Sequence, residues 1–97
     1  MIFTRDDVHH FKYFDYGEAF YGSKNGMRFR VAIDPLDNIF FKKGDERLGY
    51  KLKAYAWPEP DNFATAPNKD SCEFDYSEEG LDAVIAWLNE EYDKLIK

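Results

Sequence analysis

His9 and His10 are the only histidines in the sequence, and they are adjacent. Neighbouring residues on a helix or a strand point in different directions, so the pair lacks the i,i+4 spacing with which two imidazoles share a metal. Asp6, Asp7 and Cys72 are the remaining conceivable ligands, and their spacing matches no zinc pattern. Cys72 is the single cysteine. A nucleophile needs a neighbouring base that a third group orients, and nothing near Cys72 supplies one. Its expected place is an inward strand position, where it acts as a small buried hydrophobe. Neither Gly-x-Ser-x-Gly nor a phosphate-binding glycine loop occurs. Carboxylate pairs are present as Glu78/Glu79 and Glu90/Glu91, but at a helix terminus and on a solvated helix face. The expectation is therefore a protein that is not an enzyme, with no catalytic residues, no metal and no other cofactor.

The elements that would position any site are better defined. Ser77 is a good N-cap, and Glu78 and Glu79 suit the positive end of a helix dipole. Leu81, Val84, Ile85, Leu88, Tyr92 and Leu95 recur at steps of three and four, which predicts a helix over 78–96 with one apolar stripe. Asn25-Gly26 predicts a two-residue type I′ turn. That turn pairs Lys24 with Met27, Gly22 with Phe29, Tyr21 with Arg30 and Phe20 with Val31. Phe29 then covers Gly22, and Arg30 sits over Tyr21.

After the turn, Met27, Phe29, Val31 and Ile33 alternate with Arg28, Arg30, Ala32 and Asp34. A further strand over 48–57 places Leu48, Tyr50, Leu52, Ala54 and Ala56 inward, with Lys51, Lys53, Tyr55 and Trp57 outward, and Pro58 ends it. A short strand over 72–76 turns Cys72, Phe74 and Tyr76 inward. Residues 4–11 suggest a helical turn leading to a first strand near Lys12, residues 34–38 a turn, and Ile39-Phe40-Phe41 a brief extra strand. The segment 58–71 is a long loop for so small a chain, and such loops are often functional. Together these predict one α+β domain over 1–97. Its sheet is mostly antiparallel, of three to five strands, with one long C-terminal helix packed on one face.

Composition sharpens the functional expectation. Nine Phe, seven Tyr and two Trp in 97 residues are more rings than a small core can hold, so several belong to the surface. The net charge of −6 is unevenly spread. Residues 24–53 carry eight basic and four acidic groups, whereas 54–97 carry three basic and eleven acidic ones. The outward sheet face would display Tyr21, Arg28, Arg30, Lys51, Lys53, Tyr55 and Trp57, with Glu59 in the adjoining loop. Such a face suits a protein partner, or alternatively single-stranded nucleic acid, although the overall charge repels a polyanion. The acidic third offers Glu73, Asp75, Glu78, Glu79 and Asp82 as a second surface. The opening residues lack a signal peptide, and no apolar run is long enough to span a membrane, which fits a reducing cytoplasm.

Tyr13-Phe14-Asp15-Tyr16-Gly17, Gly22-Ser23, Gly26-Met27-Arg28-Phe29-Arg30, Trp57-Pro58-Glu59-Pro60, Ser77-Glu78-Glu79-Gly80-Leu81 and Trp87-Leu88-Asn89 look like segments of an uncharacterised family of small acidic proteins. The sequence resembles this family, found in anaerobic gut Firmicutes, over most of its length after Lys12. The family has no assigned activity, so the resemblance implies a bacterial or phage setting and no site residues. The resulting expectation is a small protein-interaction module. By analogy of size and charge it would be an inhibitor like the anti-CRISPR proteins, acting on a nucleic-acid-handling defence complex. Direct nucleic-acid binding, or a small ligand-binding domain or enzyme, are the alternatives.

Overall fold

The computed structural model describes residues 2–96. Four strands form one antiparallel sheet in the order β1-β2-β3-β4, so each strand pairs with its neighbours in sequence. They are β1 (Phe20–Lys24), β2 (Met27–Asp34), β3 (Lys51–Pro58) and β4 (Asp70–Asp75). The helix α1 (Glu78–Leu95) follows directly. Ser77 caps it as expected, its Oγ accepting from the Gly80 N–H at 2.9 Å.

The hairpin has the predicted register throughout, from Lys24↔Met27 to Phe20↔Val31. Asn25 and Gly26 both take positive φ, as a type I′ turn requires. Alternation then sorts β2 and β3. Met27, Phe29 and Val31, with Leu52, Ala54 and Ala56, meet Leu81, Val84, Ile85 and Leu88 of α1 in one buried cluster. Arg28 and Arg30 therefore lie on the opposite face, beside Trp57 and Tyr55 of β3.

The N-terminal segment completes this core with Phe3, Val8 and Phe14. Asn89 fixes it to α1: Oδ1 accepts from the Phe3 N–H at 2.8 Å, and Nδ2 donates to the Phe3 carbonyl at 3.0 Å. This pairing satisfies both backbone groups of a residue outside regular structure.

Several expectations need correction. The helical turn expected over 4–11 is present as the 3-10 helix Arg5–Asp7, but a second one, Phe11–Tyr16, follows it, so Lys12 lies in a helix rather than at a strand. Ile39-Phe40-Phe41 forms a turn, because the Ile39 N–H is spent on the Asp15 carbonyl and the Lys42 N–H on the Ile39 carbonyl. Strand β3 begins at Lys51, leaving Tyr50 outside it and Leu48 exposed rather than inward. Strand β4 runs from Asp70 to Asp75, so Tyr76 falls in the link to α1, and Cys72 is half-buried rather than buried.

Candidate functional site

The sheet face opposite α1 gathers the predicted basic and aromatic residues. Strand alternation puts Tyr21 of β1, Arg28 and Arg30 of β2, and Lys51, Lys53, Tyr55 and Trp57 of β3 on that side. The face is not open along its length, contrary to expectation. The 58–71 loop folds back over it and sets Phe63 against Tyr55, Trp57 and Tyr21, with ring centroids 4.9, 5.7 and 6.1 Å apart. Trp57 is consequently 2% exposed, and its Nε1–H donates to the Asp61 carbonyl at 2.6 Å. Trp57 thus anchors the loop and offers almost no surface of its own.

Arg30 is held at the centre of these rings. Its guanidinium carbon lies 4.8 Å from the Phe63 centroid, 5.7 Å from Tyr21 and 5.8 Å from Tyr55, and its Nε donates to the Tyr21 hydroxyl at 3.1 Å. Lys53 and Lys69 add cations over Tyr55 and Phe63. Such stacking secures the loop and leaves those aromatic faces occupied. An open groove of ≈ 570 Å³ remains beside it, bounded by Tyr21, Ser23, Arg28, Trp57, Asn62 and Phe63. Arg28 Nε is shielded from solvent there. Its nearest carboxylate, Glu59, is 3.5 Å away, and it has no hydrogen-bond partner among the described residues.

The acidic surface is partly neutralised from within. Arg5 binds Glu78 at 2.8 Å and Asp82 at 2.7 Å, and Lys51 binds Asp75 at 3.4 Å across the β3–β4 pair. Glu73 and Glu79 are exposed and have no ion-pair partner among the described residues, and Glu79 borders a shallow depression with Glu73, Lys51 and Asp75. The continuous row of carboxylates is thus broken into paired and unpaired positions.

Two carboxyl groups depart from the solvated role. Asp15 is buried, and Arg47 meets it with both terminal nitrogens at 3.1 and 3.3 Å while the Tyr76 hydroxyl donates to it at 2.6 Å. Burial, reinforced by that bond, pushes the Tyr76 phenol far above its ordinary range. Glu91 is 6% exposed, contrary to its expected place on a solvated helix face. It faces Asp70, which Lys94 binds at 2.8 Å. Burial first, then the Asp70 carboxylate, raises Glu91 to about 7.

A third feature was not anticipated from the sequence. The connection between β2 and β3 exposes a cluster of rings, in which Tyr16 stacks on Phe40 at 4.8 Å and Phe40 meets Phe41 edge-on at 5.0 Å. Phe41 is 86% exposed and Leu48 74%, and Leu36 is also open to solvent. Adjacent Phe40 and Phe41 followed by Lys42-Lys43, in a stretch with no clean alternation, was the available signal.

Among the described residues no group of three or more metal-ligating side chains comes together, and no helix is long and apolar enough to cross a membrane. Comparison with protein-family models, curated proteins and solved structures returned no match.

Proposed function

We propose that this protein is a non-enzymatic interaction module that docks on a protein partner through the exposed apolar surface of the β2–β3 connection. The observation that carries this reading is the solvent exposure of Phe41, with the exposed rings of Phe40 and Tyr16 in a row beside it and Leu36 and Leu48 exposed on the same connection. Leaving large apolar side chains in water costs about 1.5–3 kcal/mol each relative to burial, a cost that docking would relieve. The segment is held in shape by Arg47, whose Nε donates to the Lys42 carbonyl at 2.7 Å and whose NH2 group donates to the Ile39 carbonyl at 3.2 Å. A preorganised apolar surface of this kind binds without first paying for ordering. Nucleic-acid binding by the sheet face is the weaker reading, because Phe63 packs edge-on against Tyr55 and tilted against Trp57, and so covers rings that an incoming base would need.

Site-specific photo-crosslinking tests the proposal. Benzoylphenylalanine at position 41 in a bacterial lysate should yield a discrete protein adduct that survives nuclease, whereas the same group at position 79 should not. Absence of an adduct at position 41, or its loss on nuclease treatment, overturns the reading.

A further inference from the structure

The two edges of the sheet are built differently. Strand β4 presents Glu73 and Asp75 at its edge, and charged side chains are a common protection against unwanted strand pairing. Strand β1 carries no charge between Phe20 and Ser23. In an antiparallel ladder closed by a two-residue turn, Lys24, Gly22 and Phe20 direct their backbone groups toward β2. Tyr21 and Ser23 must then turn their N–H and C=O outward. Among the described residues no hydrogen bond reaches those four groups, and the side chains of both residues are exposed. The groove beside them runs along the same strand, and Arg28 stands in it, its shielded Nε 3.5 Å from Glu59 and without a hydrogen-bond partner among the described residues.

We infer that the free edge of β1 is a docking site for an extended, acidic segment of a partner protein, which adds to the sheet as a fifth strand. Backbone pairing with Tyr21 and Ser23 supplies the register. Alternate side chains of the added strand project over the groove, where a carboxylate completes the bonding of Arg28. The occupant is acidic because the neighbouring outer face is cationic, through Arg28 and Arg30, with one carboxylate, Glu59, near Arg28. A second copy of the chain fits less well, since edge-to-edge pairing would bring two such cationic rows together. This site is separate from the Phe41 surface, so either can fail without the other.

The probe is a fluorescent peptide of about ten residues that alternates Glu with Thr, a strand-forming spacer. Binding is followed by anisotropy, and the amide exchange of Tyr21 and Ser23 by NMR. The expected result is saturable binding that slows exchange at both amides by about tenfold or more. A Lys-Thr peptide should bind about tenfold more weakly, and Arg28→Ala should cost the Glu-Thr peptide about tenfold. N-methylation of alternate amides in the peptide should abolish binding. Ser23→Pro should do the same while keeping the hairpin, because proline is tolerated where the N–H faces out from an edge. Four outcomes overturn the inference: no protection of Tyr21 and Ser23, undiminished binding of the methylated peptide, equal binding of an oligothymidylate, or a free protein that is already a dimer through this edge.

Discussion

Replacing Glu91 with glutamine separates the two protonation states of a buried carboxyl group. In the folded chain Glu91 Oε1 has no hydrogen-bond partner among the described residues, and the group faces Asp70 while Glu90 repels it and Lys94 attracts it. The folded group titrates at about 7, against 4.5 for an unperturbed one. Between those values the folded state holds a proton that the unfolded chain has lost, so stability falls as pH rises through that interval. At about 1.4 kcal/mol per pH unit the interval corresponds to about 3 kcal/mol, and mutual dependence of the two carboxyls reduces the expected effect to about 2 kcal/mol. Asp70 is shifted the other way, by sharing the Glu91 proton and by Lys94, so its own contribution is lost only as pH falls below 3.8. Glutamine keeps the neutral shape and offers an N–H to Asp70. Glu91→Gln should therefore match the parent at about pH 5 and exceed it by about 2 kcal/mol at about pH 8, or about 8–16 °C in Tm. Urea denaturation followed by tryptophan fluorescence across that range measures the difference. A stability gap that does not change with pH would refute the reasoning.

Two further substitutions probe how the fold is held. Asp15→Ala leaves the Arg47 guanidinium and the Tyr76 hydroxyl without their shared acceptor, and should cost about 3–5 kcal/mol, seen as a Tm drop of more than about 12 °C. A drop of only a few degrees would mean that solvent replaces the carboxylate. Gly22→Ala places a methyl 2.5 Å from Phe29 Cζ, a ring that Phe3 holds edge-on at 5.6 Å. Overpacking of about 1–3 kcal/mol should outweigh the smaller entropic gain of alanine, lowering the denaturation midpoint. An unchanged midpoint would show that the ring swings aside freely.

The sequence was most informative where local chemistry determines geometry. The Asn25-Gly26 turn fixed a register that placed every β1 residue opposite its partner, and the Ser77 cap located the start of α1. It was least informative where a distant segment decides the outcome. Trp57 has the parity of an outward residue, and only Phe63, from a loop without periodicity, makes it a buried one. Glu91 sits among Glu90, Asp93 and Lys94, which read as a solvated face, but the start of β4 brings Asp70 against it. Ile39 looks like part of a strand until Asp15 takes its N–H. The basic and aromatic residues of the proposed sheet face were identified, yet which of their surfaces remain accessible depends on the 58–71 loop. The exposed rings at Tyr16 and Phe40-Phe41 were missed because burial, not residue type, distinguishes them.

The order of pairing in the sheet also bears on how the chain reaches its native state. Each strand finds its partner one connection away, so every closure in the meander is local compared with the length of the chain, although only the β1–β2 turn is short. The Asn89 clasp on Phe3 is the opposite case, joining residues 86 positions apart. Closing it spans most of the chain, so it carries a larger loop-closure cost than any pairing within the sheet.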